Sequence, residues 1–109
     1  MVARVSGGAP GDGETVPPAL SEARRIIDEI DARMVGLLAE RFAVVEEVVK
    51  IKRAEGIPAL LPDRVEEVVA QVEALAATRG LPAGMAGALW RTLIAKTIDY
   101  ENAHLGTGA

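Results

Sequence analysis

A chain of 109 residues is one domain's worth of sequence, and half of it is apolar, enough to build a core. With no cysteine, disulfides, thiolate zinc sites and a thiol nucleophile are excluded, and a single histidine, His104, leaves no second imidazole for a His-based metal site. Twelve basic against sixteen acidic residues give a formal charge of −4, a poor balance for gripping nucleic acid.

Residues 1–18 hold four glycines and three prolines with almost nothing bulky to bury, and read as a disordered N-terminal leader. The texture changes at Ser21, a residue suited to an N-cap, and the run to about Glu55 contains no proline and only one glycine, Gly36. Gly56-Ile57-Pro58 stops that first helix, and Pro62 opens a second reaching about Thr78. Arg79-Gly80-Leu81-Pro82 is a stop and restart, after which a third helix is expected from about Pro82 to His104. The valine-rich pieces repeat at helical spacing, so the fold class is all-α: a helical domain over 19–105 and a flexible tail at 106–109. No stretch approaches the roughly 20 apolar residues of a membrane span, and the first twenty residues lack the apolar run of a secretory signal. The expected location is the cytoplasm.

Length alone makes the first helix informative. About 34 residues at ~1.5 Å each form a rod of roughly 50 Å, whereas a globule of about 90 residues is only ~25–30 Å across. The apolar stripe nevertheless runs from Ile26 to Ile51. Two shorter helices cannot cover it, so an intertwined homodimeric bundle is expected, with a second copy covering the remainder.

Several polar residues fall where that core should be. At about 100° per position, Ile27, Ile30, Met34, Leu37, Leu38, Val44, Val45, Val48 and Val49 share one arc of the first helix. Arg41 lies near the middle of that arc and Lys52 beside it, while Arg24 sits at its edge. The second helix is expected to bury Val65, Val68, Val69, Val72 and Leu75, with Arg64 on its flank. On the third, Thr97 and Glu101 stand amid Leu89, Trp90, Leu93, Ile94, Ile98 and Leu105. Buried charges need partners. An internal Arg–Glu or Lys–Glu pair is one explanation, and a polar cavity awaiting an anionic ligand is the other. The excess of inward cations, spread over three helices, favours the cavity. Asp28, Glu29 and Asp31 read as carboxylates favoured by the helix dipole, and His104 as a C-terminal cap.

These inward residues, in this order, resemble the all-helical (AroQ-type) chorismate mutases over about Ser21 to Leu105. Arg24-x-x-Ile27-x-x-Ile30-Asp31 is similar to the family's opening, and Leu37-Leu38-Ala39-Glu40-Arg41 to its L-L-x-x-R. Lys52 follows eleven positions after Arg41, and Arg64 twelve after Lys52. Thr97 and Glu101 fall where the family places a small hydroxyl residue and a Gln or Glu. The resemblance implies a cofactor-free Claisen rearrangement, a [3,3] shift turning chorismate into prephenate within a homodimer, with no general base and no metal. It implies that Arg41 and Arg24 clamp the carboxylates of a dicarboxylate substrate, Arg24 arriving from the other subunit. Lys52 would donate to the ether oxygen as charge gathers there, and Arg64 would order the site. Glu101 could help only while protonated, because an ionised carboxylate cannot donate a hydrogen bond.

Leu61 and Val65 depart from the common pattern, which has acidic residues binding the ring hydroxyl at those two places. Val65 together with Glu101 is more similar to the 4-amino-4-deoxychorismate mutases of antibiotic pathways. Isochorismate pyruvate lyases also carry an apolar residue after the arginine, but have a shorter preceding loop and Gln at the Glu101 place. A non-catalytic helical dimer binding a small dicarboxylate is the reading from another class.

Overall fold

The computed structural model describes residues 15–105. They form three α-helices and, among the described residues, no strand: α1 (Pro18–Glu55), α2 (Pro62–Thr78) and α3 (Met85–His104). The leader expected at 1–18 lies outside the described residues as far as residue 14, and the tail at 106–109 lies outside them entirely.

α1 begins three residues before the expected cap. The Pro17 carbonyl accepts the N–H groups of Leu20 and Ser21 at 3.0 and 3.1 Å, so Ser21 is inside the helix. Pro18 occupies the first helical position, where a missing N–H costs nothing and the fixed φ suits the helix. A proline pair that reads as leader therefore opens the rod. Its far end closes with Gly56 at φ +68° and the Ile57 N–H donating to the Lys52 carbonyl at 2.9 Å, a left-handed stop that glycine adopts without strain.

α2 starts at Pro62 after an extended Leu61. α3 starts later than expected, at Met85, because Pro82 to Gly84 form a turn with Gly84 at φ +86°. No side chain of that turn caps the helix; Glu73 of α2 does so from outside. Its carboxylate accepts the N–H groups of Gly84 and Gly87 at 3.0 and 2.5 Å, satisfying orphan donors of α3 with a negative charge. A Cβ at Gly87 would stand 3.0 Å from a Glu73 oxygen, so a larger residue there would push the cap away.

The chain divides into two compact units, Met1–Ala39 and Glu40–Ala109. In the first unit every described residue from Pro17 onward is exposed, including Ile27, Met34 and Leu37 at 54, 52 and 62%. In the isolated chain this apolar stripe is uncovered. Arg25 pairs with Glu22 and Glu29, so Glu29 has a side-chain partner beyond the helix dipole. The hydrogen bond from Arg25 holds the Glu22 carboxyl below its ordinary range.

The second unit has its core in Val45 and Val49 of α1, Ala59 of the α1–α2 connection, Val69 and Ala76 of α2, and Ala86 and Ile94 of α3. Leu75, expected inside, is exposed, and Ala76 takes its place. The stripe through Val65, Val69, Val72 and Ala76 leaves Leu75 roughly 90° from its centre. Glu66 of α2 receives two hydrogen bonds from Arg91 of α3 at 2.9 and 3.0 Å, which keep the Glu66 carboxyl below its usual range. Phe42 meets Tyr100 edge-on, and Tyr100 stacks on His104. Desolvation, then the charge of Glu46, pushes the Tyr100 hydroxyl up from its ordinary value. The His104 ring engages the Tyr100 carbonyl at 2.8 Å in the last turn, while Arg53 donates to the His104 carbonyl. Among the described residues no helix is long and apolar enough to cross a membrane.

Candidate active site

The second unit holds a cavity of about 280 Å³ that is open on one side. α1 lines it with Arg41, Val45, Val48 and Lys52, whose 4-3-4 spacing keeps them on one helical stripe. α3 contributes Ile94, Thr97, Ile98 and Glu101 at 3-1-3 spacing, again one face. The first turn of α2 closes the space with Arg64 and Val65, and Leu61 stands just before it. Seven residues singled out in the sequence (Arg41, Lys52, Leu61, Arg64, Val65, Thr97 and Glu101) thus meet in one hollow.

Lys52 and Glu101 form its polar centre. The Lys52 ammonium donates to Glu101 Oε1 at 2.8 Å and to the Ala59 carbonyl at 2.9 Å. Their side chains are only 13 and 7% exposed, so each charge depends on the other. An internal ion pair and a polar cavity, alternatives at the level of sequence, here coexist, with the pair forming part of the cavity wall. Two of the three ammonium N–H groups are engaged within the chain, which leaves one for a ligand oxygen.

Arg41 is half-buried and has no ion-pair partner among the described residues. A guanidinium in that setting is a ready fork for a carboxylate. Arg64 sits nearer the rim, its side chain 61% exposed and paired with Glu67 at 2.6 Å. The Thr97 hydroxyl donates to the Leu93 carbonyl at 2.9 Å, so its oxygen is left to accept. Three cations face one carboxylate, and the surplus is positive. A second hollow, of about 260 Å³, sets Glu46 and Glu47 against Lys50 and Arg53 and has no such surplus. Arg24 belongs to the first unit and is exposed.

Pattern reasoning on the sequence missed two participants. The Ala59 carbonyl is a backbone group with no side-chain signature, and Glu73 reads as a surface carboxylate on α2 although it caps the helix that carries Thr97 and Glu101. Val45, Val48, Ile94 and Ile98 were legible as apolar faces, and their place on a cavity wall required the packing.

Comparison with known proteins gives a concordant picture. Residues 23–102 match the family model described as chorismate mutase type II. The T-protein of Enterobacter agglomerans is 29% identical over 83 residues, covering 76% of this chain and 22% of that protein. A chorismate mutase of Methanocaldococcus jannaschii is 38% identical over 56 residues, covering 51% of this chain and 57% of its own. The matched part thus spans little more than half of one relative and about a fifth of the other. No solved structure gives a significant match.

Proposed function

The chain belongs to the chorismate mutase type II family, and from that premise we propose that it catalyses the cofactor-free [3,3] rearrangement of chorismate to prephenate or of 4-amino-4-deoxychorismate to 4-amino-4-deoxyprephenate. The observation that carries the proposal is the half-buried Arg41, without an ion-pair partner among the described residues, in the same cavity as the Lys52–Glu101 pair. Arg41 binds a substrate carboxylate in a bidentate bond. The free N–H of Lys52 meets the ether oxygen as the C–O bond lengthens and negative charge gathers there. Apolar walls from Val45, Val48, Ile94 and Ile98 hold the enolpyruvyl arm over the ring, so orientation supplies much of the remaining acceleration. Arg64 at the rim and Thr97 order the ligand's polar groups.

Leu61 and Val65 bear on the ring substituent. Neither side chain can hydrogen-bond a 4-hydroxyl, and Val65 together with Glu101 supports the 4-amino substrate. Val65 taken alone supports a second reading, pyruvate elimination from isochorismate. Purified protein mixed separately with chorismate, 4-amino-4-deoxychorismate and isochorismate, with products followed by absorbance and mass, distinguishes these readings. Turnover of none, with normal helicity, would leave a dicarboxylate-binding module.

Glu101 bears on the reacting ether oxygen. An ionised carboxylate there opposes the developing charge, whereas a neutral amide can donate to it. Glu101→Gln is therefore expected to change kcat more than KM. An unchanged kcat in the variant would remove Glu101 from the chemistry.

The uncovered stripe of Ile27, Ile30, Met34 and Leu37 supports a homodimer in which Arg24 of a second copy completes the carboxylate clamp. Arg24→Ala and Lys52→Ala chains, each inactive alone, should then complement when unfolded together and refolded. Each mixed dimer would have one intact site, restoring roughly a quarter of wild-type turnover at equal input. No recovery in a mixture shown by mass to contain the heterodimer would mean that Arg24 acts within its own chain or not at all.

A further inference from the structure

Lys52 is held at both ends by the short connection that follows α1. Its backbone carbonyl accepts the Ile57 N–H at 2.9 Å, and its ammonium donates to the Ala59 carbonyl at 2.9 Å. Gly56, at φ +68°, makes the reversal that brings the chain back under the lysine. Ala59 is not free to drift, since it is only 5% exposed and forms part of the core. We infer that the Ala59 carbonyl is a positioning group for the reaction, aiming the third N–H of the Lys52 ammonium at the breaking ether bond.

The chemistry explains why a carbonyl is suited to this. A lysine stem has four rotatable carbons, and one partner would leave the ammonium free to swing about that single bond. Acceptors at 2.8 and 2.9 Å in two fixed places remove the swing and point the remaining donor in one direction. Glu101 orients the ammonium as well, but as an anion it also opposes charge gathering on the ether oxygen. The neutral Ala59 carbonyl orients the ammonium without that opposition, so the part of the preorganisation that brings no opposing charge resides in the loop.

This inference rests on the proposed rearrangement, so the wild-type chain must first turn over one of its candidate substrates; turnover of none overturns that reading itself. The test then replaces the Ala59–Leu60 amide by an ester, which makes the Ala59 carbonyl a weaker acceptor. No backbone hydrogen bond of Leu60 within the described loops is lost, because its N–H donates none there. The expected result is a fall in kcat of about three- to ten-fold with KM within about two-fold. In a Lys52→Ala background the same ester should change kcat by less than about 1.5-fold, because the group it aims is gone. An unchanged kcat, a change confined to KM, or an equal fall in both backgrounds would overturn the inference.

Discussion

Lys52→Ala is expected to lower kcat by about 10²–10³-fold with a much smaller effect on KM, the signature of a donor that matters most in the transition state. The magnitude follows from a preorganised charge in a largely buried site, where water cannot replace it. Stability should suffer too. Glu101 is buried, and removing its partner at 2.8 Å leaves a buried carboxylate without its counter-ion. The double variant Lys52→Ala/Glu101→Gln should recover most of the lost stability in a urea melt while remaining as slow as the single variant. If the double variant regained activity, the lysine would be a structural counter-ion only.

Arg41→Ala should behave differently. Arg41 has no ion-pair partner among the described residues, so its removal strands no charge and the melting transition should barely move. What disappears is a bidentate, charge-assisted bond to a substrate carboxylate. The loss should be about 10²-fold or more in kcat/KM, carried mainly by KM. Measured side by side, the two variants separate a binding cation from a chemical one. Near-normal kcat/KM in Arg41→Ala would dismiss the carboxylate clamp.

The contrast between these two cations shows what was legible in the sequence. The three helices and their all-α class follow from periodicity and from Gly/Pro punctuation. Arg41 and Lys52 stand out because their spacing with Val45 and Val48 places them on an apolar stripe, where an exposed helix face would not put them. Thr97 and Glu101 are anomalous for the same reason on α3. Spacing could show that these groups point inward but not whether they neutralise one another. The structure answers with one pair, Lys52–Glu101, and one cation outside it, Arg41.

Where the reading failed, a non-local or backbone interaction was responsible. Pro17 and Pro18 open α1 because the Pro17 carbonyl is used as a helix acceptor, which composition does not report. α3 begins at Met85 because Gly84 adopts a left-handed φ and Glu73 of α2 supplies the cap. The Ala59 carbonyl is invisible to any side-chain pattern. Leu75 lies outside the core because the α2 stripe is narrower than a count of valines and leucines suggests.

The most direct test of the account is a crystal structure of the protein with a stable bicyclic ether dicarboxylate shaped like the cyclic transition state. One carboxylate should rest on the Arg41 guanidinium and the ether oxygen within hydrogen-bond distance of the Lys52 ammonium, inside the cavity bounded by α1, α2 and α3. A ligand bound elsewhere, or Arg41 and Lys52 both turned to solvent around an empty cavity, would contradict it.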